Sequence, residues 1–114
     1  MRSPILRVSR LALIGAAIVV AALTFQAADE PDGASIFKQR CSMCHGPDGK
    51  GFPALKTPDF TDPKWQESVK DSEITETIKN GKKGTPMPPF GDKLSDEEIK
   101  AVVAHIRSLN SNKK

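Results

Sequence analysis

The stretch Cys41-Ser42-Met43-Cys44-His45 decides how this 114-residue chain folds, because it holds both cysteines and one of the two histidines. Two thiols about one helical turn apart and an adjacent imidazole place three reactive or ligating groups on one short segment. The domain around this segment covers residues 29–114 and contains few large apolar side chains. A domain of that size usually needs a disulfide, a metal or a cofactor to complete its core.

Cys-x-x-Cys-His is the attachment signature of c-type haem, in which each thiol adds to one vinyl group of the porphyrin and the histidine ligates the iron. Three other interpretations compete with it. A thioredoxin-like dithiol needs a βαβ setting, which the sequence does not show. A zinc site needs four ligands, and His105 lies far along the chain with no cysteine near it. A disulfide between Cys41 and Cys44 would close too short a loop to stabilise much, so the pattern favours one covalent haem c with His45 as an iron ligand.

The rest of the domain predicts an all-α fold, with helices separated by loops rich in glycine and proline. No segment alternates long enough between apolar and polar residues to predict a strand. Ser95 and Glu98 form a capping box, and the loops at 46–64 and 81–93 contain seven of the nine prolines. The three predicted helices lie at about residues 33–43, 72–80 and 95–109.

Residues 1–28 have the composition of a leader. Three arginines precede Leu11–Phe25, a run of fifteen residues without a charge, which is the pattern of a secretory signal peptide. A bilayer span needs about 20 apolar residues, so cleavage is favoured; an uncleaved anchor, with the run extended to Ala28, is the alternative. In either case we expect the domain to be periplasmic or otherwise extracytoplasmic, and membrane-anchored only if the leader is retained.

The net charge of +3 belongs entirely to the three arginines of the leader, because residues 29–114 carry equal numbers of basic and acidic side chains. No basic stripe with interleaved aromatic residues follows, so nucleic acid is not an expected partner. One group of lysines is a candidate docking patch for a redox partner, although such a group is equally consistent with a solvated surface. Its members are Lys79, Lys82, Lys83 and Lys93.

From Asp32 to Leu109 the chain resembles the class I (monohaem) cytochromes c. Gly33 and Phe37 precede Cys41 at the spacings of that family's N-terminal helix, and Pro53-Ala54-Leu55 is similar to its Pro-x-Leu segment. In that family the first and last helices cross at this glycine. The resemblance implies a small cytochrome c fold, with three main helices wrapped around one covalently attached haem.

The loop Gly84-Thr85-Pro86-Met87-Pro88-Pro89-Phe90 resembles the family's segment that bears the second axial ligand. Elimination leads to the same methionine, because Met1 lies in the leader and Met43, between the haem cysteines, cannot reach the opposite side of the ring. Met87 remains, and the prolines around it restrict its backbone. His105 is the rival ligand. It occupies a position where the family's last helix usually has an aromatic residue, on the flank of the predicted helix, so a packing role is favoured.

Two further residues are expected to support the site. The backbone carbonyl of Pro53 is predicted to accept a hydrogen bond from Nδ1 of His45, which would fix the tautomer of the ligand. The indole N–H of Trp65 is predicted to reach a haem propionate, and a role as a core aromatic residue is the alternative.

These residues predict a single-electron carrier in which His45 and Met87 hold the iron from both sides. No axial position is then open to a substrate, so we expect no enzymatic activity. We expect a monomer with redox proteins as donor and acceptor. The alternatives are a haem subunit or domain partner of a specific dehydrogenase or oxidase, and a bis-His or open-site haem protein with sensor or peroxidase activity.

Overall fold

The computed structural model describes residues 30–113, which form five α-helices and one short 3-10 turn and contain no strand. The elements are α1 (Gly33–Arg40), α2 (Ser42–His45), the turn Pro53–Leu55, α3 (Pro63–Ser68), α4 (Asp71–Asn80) and α5 (Asp96–Ser108). The three longest helices, α1, α4 and α5, correspond to the three that the sequence predicts, so the all-α prediction is confirmed. None of the described helices is long and apolar enough to cross a bilayer. The predicted leader, residues 1–28, lies outside the described residues.

The first helix is shorter than the sequence predicts, because the backbone bends at Cys41. The prediction was a single helix over residues 33–43, whereas α1 ends one residue before Cys41 and α2 begins one residue after it. At Cys41 the backbone has φ −115°, and the hydroxyl of Ser42 donates to the carbonyl of Lys38 at 2.5 Å. This bond satisfies one of the carbonyls that a helix leaves free at its end.

Helix α3 lies partly in a region for which the sequence predicts a loop. The Asp62 carboxylate accepts a hydrogen bond from the amide of Lys64 at 3.0 Å, and Pro63 occupies the first helical position. An aspartate followed by proline is a recognised start of a helix. Six residues are too few, however, to show the apolar repeat from which helices are predicted.

Side-chain hydrogen bonds fix the starts of α4 and α5. Ser95 Oγ accepts from the amide of Glu98 at 3.1 Å, and Glu98 Oε1 accepts from the amide of Ser95 at 3.0 Å, which confirms the predicted capping box. At α4 the capping residue is Lys70, whose amide donates to the Glu73 carboxylate at 2.7 Å. The first turn of α4 is therefore tied to the residue before it.

The core lies where α1 and α4 pack against α5, and it includes aromatic residues from the loops. The helices α1 and α5 cross at Gly33, where a Cβ atom would lie 2.0 Å from the carbonyl oxygen of Ala101. Only glycine permits so close an approach of the two backbones. The ten buried residues, called the core cluster below, are Phe37, Phe60, Ile74, Ile78, Phe90, Leu94, Ile99, Val102, Val103 and Ile106.

His105 packs in the same helix crossing, as the sequence predicts. Its ring centroid lies 5.0 Å from that of Phe37, with 53° between the ring planes, and the side chain is half-buried. An imidazole therefore makes the contact that an aromatic side chain makes in the resembling family.

His105 should lower the stability of the protein on the acid side of neutrality. Burial lowers the pKa of its imidazole from the ordinary value of 6.5, and the Asp32 carboxylate opposes this shift without cancelling it. As the pH falls through 6.5, the unfolded chain takes up a proton before the folded chain does, so the free energy of unfolding declines until the folded-state pKa is passed. Urea unfolding at a series of pH values should show this decline in the wild type and a smaller one in His105→Phe. Equal declines in both proteins would contradict the attribution of this pH dependence to His105.

Candidate haem-binding site

His45, the last residue of α2, stacks on a buried phenylalanine. Its ring centroid lies 4.7 Å from that of Phe60, with 20° between the planes. The Nδ1 atom of His45 is buried without a hydrogen-bond partner among the described residues, and burial lowers the pKa of the imidazole. A metal-bound histidine must be neutral at the ligating nitrogen, so this environment suits an iron ligand.

The backbone after His45 folds back through a turn rich in glycine. The amide of Gly51 donates to the carbonyl of His45 at 2.7 Å, and the amide of Phe60 donates to the carbonyl of Gly49 at 2.8 Å. Gly49 and Gly51 have φ of 78° and 74°, a conformation that favours glycine. These bonds join His45 and Phe60 into one hydrogen-bonded unit.

The two thiols near His45 are not joined to each other. Cys41 is half-buried and Cys44 is exposed. Burial raises the pKa of the Cys41 thiol to about 11, and the neighbouring Cys44 adds to the rise, whereas a redox-active dithiol has a lowered pKa. Within residues 30–113 no three His, Cys, Asp or Glu side chains are grouped to hold a metal ion. The dithiol, disulfide and zinc interpretations are therefore not supported.

Met87 is held in a hydrogen-bonded loop that follows α4. Its carbonyl accepts from the amide of Lys82 at 3.2 Å, and its amide donates to the hydroxyl of Thr85 at 3.3 Å. The half-buried side chain of Met87 packs against the core cluster, which includes Phe60. Met87 and the imidazole of His45 therefore both contact this cluster.

Pro53 and Trp65, the two residues predicted from the sequence to support the site, lie in other contacts within the described residues. The carbonyl of Pro53 accepts from the amide of Lys56 at 3.1 Å; a carbonyl oxygen has two lone pairs, so a second bond from His45 stays a prediction. Trp65 packs on Phe60, with 4.7 Å between ring centroids, which is the core role given as its alternative. A bond from its indole to a propionate also stays a prediction.

The lysines of the candidate docking patch have different environments. Lys79 forms an ion pair with Asp96 at 2.9 Å, and the Lys93 ammonium lies 5.7 Å from the centroid of the Phe90 ring. The other two lysines are exposed. A shared docking role for all four stays a prediction.

The Cys41–His45 segment and the helical fold match known cytochromes. A family model described as cytochrome c oxidase, cbb3-type, subunit III matches residues 28–106. The chain belongs to this family. It is a c-type cytochrome domain that carries covalent haem c and transfers electrons. The predictions of fold, cofactor and electron transfer are thereby confirmed.

Curated relatives of this cytochrome include subunits of cbb3-type oxidases. Subunit FixP of Bradyrhizobium sp. (strain ORS 278) is 37% identical over 90 residues, which make up 79% of this chain and 31% of FixP. Subunit CcoP of Cereibacter sphaeroides is 32% identical over 83 residues, which make up 73% of this chain and 28% of CcoP. The cytochrome thus spans less than a third of the length of either relative.

Solved structures of small cytochromes match over nearly their whole length. KustC0563, a c-type cytochrome, is 36% identical with a TM-score of 0.65, and the match covers 69% of this chain and 98% of KustC0563. Cytochrome c6C from Synechococcus sp. PCC 7002 is 26% identical with a TM-score of 0.58, and the match covers 71% of this chain and 96% of cytochrome c6C. The arrangement of α1, α4 and α5 is therefore that of small c-type cytochromes.

The residues of this cytochrome fit a covalently attached haem. Two free thiols precede an imidazole whose Nδ1 is buried and unbonded. In the loop that folds back onto His45, Phe52 and Leu55 are 41% and 43% exposed, which provides apolar surface for a porphyrin. Two thiols, one imidazole and one thioether are the donor set of a c-type haem with His/Met ligation.

Proposed function

We propose that this cytochrome is an extracytoplasmic single-electron carrier in which Cys41 and Cys44 hold the haem through thioether bonds and His45 and Met87 are the axial ligands. The observation that supports this most is that both ligand side chains contact the core cluster, His45 through Phe60. When bound, the haem supplies an iron that alternates between the ferric and ferrous states. A thioether ligand favours the ferrous state and gives a higher potential than a second histidine.

The protein supports electron transfer by holding the two proposed ligands in position and by excluding water from them. The hydrogen bonds from Lys82 and to Thr85 hold the backbone of Met87, and the adjacent prolines reduce its freedom to rearrange when the iron changes charge. The stacked ring of Phe60 covers one face of His45. This rigidity favours rapid electron transfer, since little has to move with each electron.

A second candidate function rests on the relatives, because FixP and CcoP are named as subunits of cbb3-type oxidases. We propose redox proteins as donor and acceptor, and the question is whether the cytochrome diffuses between them or stays bound to one. Affinity purification of the tagged protein from membranes in mild detergent separates the two cases. Purification as a monomer supports the diffusible carrier, and a stable complex with an oxidase supports the subunit.

Replacing Cys41 or Cys44 by alanine should prevent normal maturation and leave the chain largely unfolded, because the cofactor completes a small core. In the wild type, acid acetone should leave the haem on the polypeptide, and the intact mass should exceed the polypeptide mass by one haem. Met43→Ala, at an 87% exposed side chain, should mature normally. Free extraction of the haem from the wild type would contradict thioether attachment.

The same mass spectrum should show residues 1–28 removed, as we propose for an exported protein; retention of these residues would contradict cleavage.

A further inference from the structure

A buried hydrogen-bonded cluster lies next to Phe60. Gln66 of α3 is the one polar side chain of residues 30–113 that is buried, with 6% of its surface exposed. Its amide nitrogen donates to the carbonyls of Phe60 at 2.7 Å and Ile106 at 2.8 Å, and its amide oxygen accepts from Arg107 at 3.1 Å. Breaking such a buried network leaves several polar groups unpaired. Gln66 and Arg107 together are called the Gln66–Arg107 clamp below.

Arg107 holds Gln66 in place through further bonds. Its guanidinium forms an ion pair with Asp71 at 2.6 Å and donates to the backbone carbonyls of Gln66, at 2.6 Å, and of Val69. The planar fork of an arginine can make these bonds at once, which a lysine cannot. The clamp therefore ties α5 to α3 and to the first residue of α4.

Both the backbone amide and the backbone carbonyl of Phe60 form hydrogen bonds. Its amide donates to Gly49, in the turn after His45, and its carbonyl accepts from Gln66. Its ring is 5% exposed and stacks on the His45 imidazole. The Nδ1 atom of His45 has no hydrogen-bond partner within residues 30–113, so the stacking on Phe60 is a contact through which the orientation of the ring can be changed.

We propose that Gln66 is a positioning residue for the axial histidine: through Phe60, the Gln66–Arg107 clamp fixes the rotation of the His45 imidazole above the haem and thereby tunes the reduction potential. This inference rests on the proposed ligation by His45. Groups that orient a metal ligand influence the electronic state of the metal. In a ferric cytochrome the spread of the four haem-methyl proton shifts depends on the orientation of both axial ligands, so a rotation of the His45 imidazole changes it.

The test uses the oxidised holoprotein and the variant Gln66→Met, which keeps the approximate volume of the side chain and removes its hydrogen bonds. We expect an altered spread of haem-methyl shifts and a shifted reduction potential. Arg107→Lys, which keeps the charge opposite Asp71 but loses the fork, should give a smaller change of the same kind. Ser95→Ala, which removes the side-chain cap of α5 and lies outside the core cluster, is the control: it should lower stability and leave the haem-methyl pattern unchanged.

An unchanged pattern in Gln66→Met, together with a changed pattern in Phe60→Leu, would overturn the clamp and leave the proposed ligation standing. A change of equal size in Ser95→Ala would also overturn the clamp, because a general loss of stability would then explain the changed pattern. If Gln66→Met does not accumulate as a folded holoprotein, Arg107→Lys decides: a changed pattern supports the clamp and a wild-type pattern overturns it. Absence of low-spin ferric haem-methyl shifts in the wild type would contradict the proposed ligation, and the clamp with it.

Discussion

Replacing Gly33 by alanine should strongly destabilise this cytochrome. The new Cβ would lie 2.0 Å from the carbonyl oxygen of Ala101 and 2.5 Å from its carbonyl carbon. Both atoms belong to the backbone of α5, so no side-chain rotation can relieve the overlap. The two helices would have to separate, and Phe37 and Val102, both buried, would lose packing. Overfilling a core costs about 1–3 kcal/mol and occasionally more; we expect at least ~3 kcal/mol here, out of a total of about 5–15 kcal/mol for a domain.

Gly84→Ala is the matched control for Gly33→Ala. Gly84 has φ 79°, but no atom lies within 4 Å of the position of its Cβ. The substitution therefore carries only the cost of a left-handed backbone, about 1–2 kcal/mol. Guanidinium unfolding of both holoproteins, followed by circular dichroism, measures the difference. Equal stability of the two variants would contradict the close crossing of α1 and α5.

Met87→Ala should open one axial position of the iron without unfolding the protein. The hydrogen bonds that Met87 makes to Lys82 and Thr85 use backbone atoms of Met87 and survive the truncation. The side chain is only half-buried, so the loss of stability should stay near or below about 2 kcal/mol, the lower end for truncation of a core methionine. The reduction potential should fall, because the ligand that favours the ferrous state is gone. Cyanide should bind the ferric protein faster, and weak peroxidase activity should arise.

Two variants control this result. Met87→His should keep both axial positions filled and still lower the potential, since a second imidazole favours the ferric state relative to a thioether. Met43→Ala removes an exposed methionine between the haem cysteines and should bind cyanide at the wild-type rate. Faster cyanide binding in Met43→Ala than in Met87→Ala would contradict the assignment of the sixth ligand.

The sequence predicts the three long helices, and the signals for them and for the proposed haem-binding segment are local. The capping box at Ser95 and Glu98, the spacing from Gly33 to Cys41, and the Cys-x-x-Cys-His pattern each lie within one short window. The bend at Cys41 is also local, but a continuous helix would equally tolerate the bond from the Ser42 hydroxyl to the carbonyl of Lys38. The predicted first helix is therefore too long.

The surroundings of His45 could not be predicted, because they depend on contacts between distant residues. Gln66 stands in a polar segment with no sign of burial, and it bonds to the carbonyl of Ile106, forty positions away. Phe60 is recognisable as a large apolar residue, but nothing nearby in the sequence pairs it with His45. Asp62, before a proline, is the one local signal in this region, and it indicates the start of α3 without indicating what α3 contacts.

The absorption spectrum of the oxidised protein in the red region, where a methionine sulfur bound to ferric haem gives a charge-transfer band, tests the His45–Met87 ligation most directly. We expect this band in the wild type, in Met43→Ala and in His105→Phe, and its loss in Met87→Ala. A wild-type spectrum in Met87→Ala together with a changed spectrum in His105→Phe would contradict ligation by Met87. The iron would then have two histidine ligands.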